Sequence, residues 1–486
     1  MPLDDIRRVR LEKLSALKEA GYDPYPAQTS RTHEIARALG EFSALKDSGQ
    51  DFTLAGRVRA IREHGGSTFL DLQDGTGQMQ IYLKKDEIGE AAYELFTRAI
   101  DIGDFIEATG VAFLTKREEK TLLAHLWKPL VKALLPLPEK WHGLKDVEER
   151  FRKRYLDILI NPEVREMVVK RSKFWQSMRE FLLREGFMEV ETPVLENTTG
   201  GAEARPFVTH HYALDMDVYL RISAGELWQK RLMVAGLPKI FEIGRIFRNE
   251  GMSAEHLQDY TQMEFYWSYA DYKLGMKLVE QMYKYIAEKT FSTLAFTIGD
   301  FKIDLGTEWK EYDYAQTIKE MTGVDIMASD LKEIEAKLYE LEIHYDAKGW
   351  NKQRAIDSLW KYCRKKIAGP GFLINVPVFM EPLAKRRPED PNTVQRFQVL
   401  LAGSELGKGY SELNDPIDQA ARFEEQARLR EAGDEEAHMN DKEFVEALEY
   451  GMPPTCGFGV SERLFAFLMN KPVHETQIFP LMRPKE

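Results

Sequence analysis

Phe241-Glu-Ile-Gly-Arg-Ile-Phe-Arg-Asn-Glu-Gly251, followed closely by Tyr260-Thr-Gln-Met-Glu-Phe-Tyr266, reads as two strands joined by a charged loop. Side chains alternate between the two faces of a strand. Gly244 and Arg248 therefore share one face, and Ile243 and Phe247 share the other. On the second strand Glu264 and Tyr266 lie together, opposite Met263, Phe265 and Trp267. A hairpin with apolar residues behind and Arg and Glu in front is a platform for a small charged ligand.

Two further stretches flank this hairpin. Glu185-Gly-Phe-Met-Glu-Val-Glu-Thr-Pro-Val-Leu195 reads as a helix end, a strand and a proline. Gly457-Phe-Gly-Val-Ser-Glu-Arg-Leu464 is a glycine-rich strand that leads into a helix carrying Arg463. In this order and spacing, the three resemble motifs 1, 2 and 3 of the class II aminoacyl-tRNA synthetases. Gly200-Gly-Ala-Glu-Ala-Arg-Pro-Phe207, Glu226-Leu-Trp228, Tyr410-Ser-Glu-Leu-Asn-Asp415 and Phe479-Pro-Leu-Met-Arg-Pro484 narrow the resemblance to the lysyl-tRNA synthetase family of subclass IIb. It runs over nearly all of the chain. The fold it implies is α+β: an N-terminal OB-fold β-barrel, then a catalytic domain with an antiparallel β-sheet flanked by helices. Motif 1 implies a homodimer.

Composition bounds the remaining choices. A chain of 486 residues is roughly three domains' worth, or two with one large. No run of about 18 apolar residues is present, so no membrane span is expected. Met-Pro-Leu-Asp-Asp opens the chain with no apolar secretory segment. Cys363 and Cys456 form no CxxC pattern, which favours a reducing, cytoplasmic setting and argues against structural zinc. The net charge of −12 makes the molecule a poor general polyanion binder. A nucleic acid must then meet local basic patches, for which Arg57, Arg59 and Arg62, Arg150 to Arg154, and Lys385 to Arg387 are candidates.

Along the chain, residues 1–50 read as a helical appendage, with a helix over 4–20 capped by Asp4 and stopped at Gly21. Residues 51–135 change to strand character. Thr68-Phe-Leu-Asp-Leu-Gln73 and Gln78-Met-Gln-Ile-Tyr-Leu83 flank an Asp-Gly-Thr-Gly turn, a hairpin signal. Alternation puts Leu70, Leu72, Met79, Ile81 and Leu83 inside and Phe69, Asp71, Gln78, Gln80 and Tyr82 outside. Exposed aromatics stack bases and amides read their edges. A five-stranded OB barrel fits the length. The resemblance makes this the anticodon-binding domain, with Phe69, Gln80 and Arg62 at the anticodon. Residues 136–160 read as a linker with one charged helix over 148–159, and 161–486 as the catalytic domain. That domain holds motif 1 at 185–195, motif 2 at 241–267 and motif 3 at 457–468. It begins with a helix after Asn161-Pro162, then strands up to about Trp267, then helices at 273–290 and 329–342.

The implied reaction is attack of an amino-acid carboxylate on the α-phosphorus of ATP, then transfer to the 3′ end of tRNA(Lys). The nucleophile is already ionised, so no general base is needed; positioning and charge neutralisation do the catalysis. By resemblance, Arg248 and Arg463 are the catalytic arginines. Arg248, Glu250, His256, Tyr260, Glu405 and Arg463 bind ATP, and Glu405, with Gln398 as a second candidate, binds Mg2+. Gly201, Glu226, Glu264, Tyr266, Lys408, Tyr410 and Glu412 form the lysine site. Paired carboxylates with phenols suit an ammonium group and repel an acidic one.

The sequence also departs from the family pattern. Lys408 stands where asparagine is usual, and would either neutralise a pocket carboxylate or compete with the substrate ammonium. Gln398 stands where a second metal-binding carboxylate is common. Glu255 replaces the arginine before His256, Arg221–Glu226 is one residue longer than usual, and Gly459–Arg463 is one shorter. Leu126 occupies the place of an expected glutamate in the barrel. Rival readings are an aspartyl or asparaginyl synthetase, a ligase acting on a protein lysine, and a tRNA-binding paralogue without catalysis. Gly403-Ser-Glu-Leu-Gly-Lys408 has too few residues for a P-loop. His210-His211 has no third metal ligand at sensible spacing, and Asp434-Glu-Glu436 reads as a solvated helix face.

Overall fold

Period-two burial along the Asp-Gly hairpin organises the first part of the chain. The computed structural model describes residues 2–138, 146–198, 200–202, 204–249, 251, 256–345, 351–431 and 439–485. Glu250, Glu255 and the Asp434–Glu436 run lie outside the described residues. The chain divides into two units, Met1–Ile160 and Asn161–Glu486.

In the first unit, strands Phe52–His64, Ser67–Gln73, Gln78–Lys84, Lys120–Val131 and Phe105–Leu114 follow one another around a closed barrel. Leu70, Leu72, Ile81 and Leu83 are fully buried inside it, while Phe69, Asp71, Gln80 and Tyr82 stay partly exposed, as alternation requires. Asp74 fixes the turn by accepting from the Thr76 amide at 2.8 Å and the Gly77 amide at 3.1 Å. It also accepts from the Ile35 amide at 2.9 Å.

Residues 1–50 are built into this unit instead of standing off it. Leu17, Ile35, Ala38 and Phe42 join the barrel's apolar core. Buried Arg10 donates to the carbonyls of Ala133, Leu135 and Ile102. Asp4 is not the cap of the first helix, Leu3–Glu19; Pro2 holds that position and Asp4 sits in the first turn. The helix expected over 148–159 breaks at Lys153 into Val147–Arg152 and Arg154–Ile160. Its basic run is tied into ion pairs: Arg150 and Arg154 share Asp157, Arg152 meets Glu148, and Lys153 meets Glu149. It therefore offers no ready basic patch. In the second unit, Arg386 meets Asp418 and Arg387 faces Glu389 in the same way.

The second unit is built on an eight-stranded sheet among the described residues. Its order is Lys310–Asp313, Gly371–Ile374, Arg396–Leu401, Ser404–Ser411, Thr455–Ser461, Asp259–Ser268, Lys239–Phe247, Met188–Glu189. Pairing is antiparallel except at the two ends, where Lys310–Asp313 and Met188–Glu189 run parallel to their neighbours. Helix Pro162–Arg184 packs along helix Tyr272–Phe291, which lies on the sheet. Val164, Met167, Phe174, Met178 and Phe181 of the first helix are buried at helical spacing. The covered face is aromatic: Phe397 stacks on Phe458, which also meets Phe265.

Strands do not run unbroken to Trp267. Helix Glu226–Val234 stands before the central hairpin, introduced by Gly225 in a left-handed conformation. The expected helices occur at Tyr272–Phe291 and Leu331–Glu340, joined by Tyr314–Thr322 and Lys352–Arg364. Ile318, Ile334, Leu338, Ile356 and Trp360 of these helices share one buried cluster.

Candidate active site

The uncovered face of the sheet carries the chemistry, and register decides what meets there. Glu242 pairs with Glu264, which pairs with Gly459, which pairs with Lys408 and then Gln398. In the next row Tyr266, Gly457, Tyr410 and Arg396 follow one another. The two glycines leave the middle of each row empty. A Cβ on Gly457 would overlap Glu412 Oε1 and approach Tyr266 Cε1 at 2.7 Å. The motif 3 glycines thus hollow a floor between side chains that would otherwise fill it.

One cavity of about 1340 Å³ opens over this floor. That volume holds a nucleotide and an amino acid together. Gly201, Glu226, Arg248, His256, Tyr260, Glu264, Tyr266, Gln398, Glu405, Lys408, Tyr410, Glu412 and Arg463 all line it. Residues up to about 260 positions apart in sequence meet there, Gly201 and Arg463 among them.

The closed end is a buried acidic pocket. Glu264, Glu226 and Glu412 are 4%, 6% and 1% exposed, so three carboxylates lie almost wholly out of water. Glu264 accepts from the Ala224 amide at 2.8 Å, Gln262 Nε2 at 2.6 Å and the Tyr266 hydroxyl at 3.1 Å. Glu226 Oε1 accepts from Lys230 Nζ at 2.7 Å and from the Tyr410 hydroxyl. Glu412 Oε2 lies 2.5 Å from Lys230 Nζ, in charge contact but off the hydrogen-bonding direction. Burial raises Glu264, and the nearby Glu226 charge raises it further, to about 7. Burial raises Glu412 to about 8, against the pull of Lys230. Burial alone would lower Lys230, but Glu226 and Glu412 outweigh it and hold the ammonium well above its ordinary range. Tyr266 and Tyr410 are pushed well up by burial and by Glu226, so both stay neutral donors.

Lys230 was invisible to the strand reading because it sits on a helix. Its spacing of four residues after Glu226 is the signal that finds it. Gly201 closes this end: φ is +84°, and a Cβ there would lie 2.6 Å from both Glu226 Cβ and Ser223 Oγ. The carboxylate Glu242, outside the pocket floor, is buried against Arg221 at 2.5 Å and accepts from Thr192.

The open end is basic. Arg248 Nε donates to the Ile222 carbonyl at 3.2 Å, and its guanidinium lies 5.7 Å from the Tyr260 ring centroid. Arg463 starts helix Arg463–Leu468, and its neighbour Glu462 is turned inward onto Arg171. Glu405 Oε1 accepts from Trp360 Nε1 at 2.6 Å, and Oε2 lies 3.8 Å from Arg364. The Gln398 amide oxygen accepts from Arg396. Among the described residues no cluster of three acidic, histidine or cysteine side chains makes a metal cage. A carboxylate oriented by one indole keeps lone pairs for a cation that brings phosphate and water ligands with it, as Mg2+ does. Glu405 fits that role; the neutral, occupied Gln398 does not add a charged ligand.

Lys408 takes the first of the two expected courses, neutralising a carboxylate of the cavity, but that carboxylate is Glu381 and not Glu264 or Glu412. Its ammonium is 3.2 Å from Glu381 Oε1 and 3.3 Å from Oε2. Glu381 and Arg396 are cavity residues that the motifs did not reveal.

On the barrel, Phe69 stacks on Tyr82 with centroids 4.1 Å apart and planes 2° apart, and Tyr82 continues towards Phe113 at 6.3 Å. Gln80 Oε1 accepts from Thr121 Oγ1 at 3.0 Å. Arg62 is held by Asp71 at 2.7 and 3.1 Å. Leu126 is exposed on strand Lys120–Val131. His210 is paired with Asp217 on strand Val208–His211.

Comparison with known proteins agrees with this geometry. Residues 146–483 match the family described as tRNA synthetases class II (D, K and N), and residues 52–130 match the OB-fold nucleic acid binding domain. A lysine–tRNA ligase of Moorella thermoacetica is 44% identical over 490 residues, covering 99% of each chain. Those of Bacillus subtilis and Thermotoga maritima are 42% and 43% identical, covering 98% and 97% of their own lengths. With the motif 2 hairpin, the glycine floor and the OB barrel in place, the chain belongs to the class II tRNA synthetases, in the lysine–tRNA ligase family.

Proposed function

We propose that this chain activates L-lysine with ATP to lysyl-adenylate and pyrophosphate, then transfers the lysyl group to the 3′ end of tRNA(Lys). The observation that carries lysine is the charge count of the closed pocket. Three buried carboxylates lie with one built-in ammonium, Lys230, so when all three are ionised two negative charges are left for the substrate to balance. Lysine brings two ammonium groups. Glu226 receives the α-ammonium, and Glu264, Glu412 and the Tyr266 hydroxyl receive the ε-ammonium. An acidic side chain would add a third buried negative charge, which disfavours an aspartyl specificity.

Arg248 holds the lysine carboxylate and the α-phosphate together, because its planar fork binds two oxygens at once. Arg463 neutralises the departing phosphates, His256 lies in the same cavity to hydrogen-bond them, and Tyr260 supports the adenine. Mg2+ supplies further neutralisation of phosphate charge when bound, and Glu405 is the residue to hold it. The first unit binds the anticodon through Phe69, Gln80 and Arg62. A homodimer is supported by exposed Met188, Val194, Leu195 and Val208 in and beside motif 1. Cytoplasmic residence fits a tRNA substrate and the two buried free cysteines; among the described residues no helix is long and apolar enough to cross a membrane.

The test is ATP–pyrophosphate exchange with each standard amino acid in turn. Exchange with lysine alone is expected. Exchange with a different amino acid would overturn the specificity and keep the chemistry, and no exchange with any would leave a tRNA-binding role. A second expectation separates the two units. Phe69→Ala lowers tRNA charging by about 10- to 100-fold, the worth of one stacked base, and leaves exchange unchanged. Equal loss in both assays would refute the division of labour.

A further inference from the structure

Alternation puts Lys408 on the same strand face as Tyr410 and Glu412, pointing a cation at the pocket built for the substrate's ammonium. Lys408 and Glu264 stand in one row of the sheet with only Gly459 between them, so the Lys408 ammonium has an acidic partner available across the glycine floor. In the structure it takes a different one. Glu381, 4% exposed, takes the Lys408 ammonium on both carboxylate oxygens, at 3.2 and 3.3 Å. Arg396, which pairs with Tyr410 in register, lies 3.2 Å from the same carboxylate. Glu381 follows the short turn Val378–Met380 and precedes Pro382, so its backbone is set by a segment outside the three motifs.

We propose that Glu381 is a specificity-determining positioning residue: it draws Lys408 away from Glu264 and Glu412 and so keeps the side-chain pocket free for a substrate ammonium. This rests on the lysine reading above. Glu381 is buried at the cavity wall between the two cations, and burying a carboxylate is costly unless such partners accompany it. Glu381 acts through Lys408 and does not contact the reacting atoms.

Glu381→Gln keeps the side chain's size and removes its charge. Lysine-dependent exchange is expected to show a KM for lysine raised about 10- to 100-fold, with kcat and the KM for ATP within about threefold of the unmodified protein. Adding Lys408→Asn removes the displaced cation and returns the KM for lysine to within about threefold. An unchanged KM in Glu381→Gln overturns the proposal. So does a raised KM that Lys408→Asn fails to rescue, because a purely structural role of Glu381 would not be repaired by deleting its partner. If the unmodified protein exchanges with no lysine at all, the lysine reading itself fails and this inference falls with it; lysine exchange that is indifferent to Glu381 sinks the inference alone.

Discussion

Arg248→Ala is expected to lower lysine-dependent ATP–pyrophosphate exchange by about a thousandfold or more while the protein stays folded. The reaction has no proton to move at its start, so charge placement is the main thing the protein contributes. Deleting one preorganised donor to a developing negative charge costs about 10²–10³ in rate, and an arginine on a transferring phosphoryl group can exceed this. Arg248 lines the cavity at the end of the hairpin, and its side chain donates from Nε to the Ile222 carbonyl. Losing that bond costs about 1 kcal/mol, which shifts a melting temperature by a few degrees at most. Arg248→Lys restores the charge without the fork, so it recovers little of the rate. Exchange kinetics and a thermal melt on the same preparations check both halves. Activity within tenfold of the unmodified protein would remove Arg248 from the reaction.

What the sequence made legible, and what it hid, divides along a physical line. Where period-two alternation operates, faces were readable: Glu264 with Tyr266, Leu70 with Leu72, and Tyr410 with Glu412 all lie as alternation requires. The family resemblance then brought together Arg248, Glu405 and Arg463, and all three line the same cavity although they come from distant parts of the chain. Partners across the fold were not readable. Trp360 reaches Glu405, and Glu381 reaches Lys408, through loops and helices whose packing leaves no local pattern. The basic run at Arg150–Arg154 looked like a nucleic-acid patch because composition counts charges and cannot show Asp157 drawing two arginines inward. The break at Lys153 was hidden as well: the stretch has uniform helix-forming residues, and the pairing of Arg150 and Arg154 with Asp157 across the break leaves no periodic signal. Lys408 shows the limit most sharply. Its face was predicted correctly, and its partner was not, so the conflict it posed had no visible solution until Glu381 was located.

The second large effect belongs to Lys230. Replacing it with methionine leaves Glu226 and Glu412 buried with no built-in cation. Removing one partner of a buried ion pair typically costs about 3–5 kcal/mol, and here two acids lose the same partner. The expected result is a large loss of stability at pH 8 that shrinks towards pH 5. The sign follows from the direction of the shifts. Glu264 and Glu412, as a pair, titrate at about 7 and about 8 in the folded protein against an ordinary 4.5, so the folded state holds more protons than the unfolded one between those limits. Stability therefore falls as pH rises through this window, because ionising the buried acids opposes folding. Lysine acts in the opposite direction. Its two ammonium groups lower both carboxylates, so binding expels protons and the affinity rises with pH from about 6 to 8, by up to tenfold per unit for each proton released. Calorimetric titration of lysine in two buffers of different ionisation heat counts those protons directly, and melts of the unmodified protein and Lys230→Met at pH 5 and pH 8 read the stability. A lysine affinity that is flat across the window would mean that the empty pocket is already ionised. A Lys230→Met variant as stable as the parent at pH 8 would mean that the two acids do not depend on Lys230 for their charge.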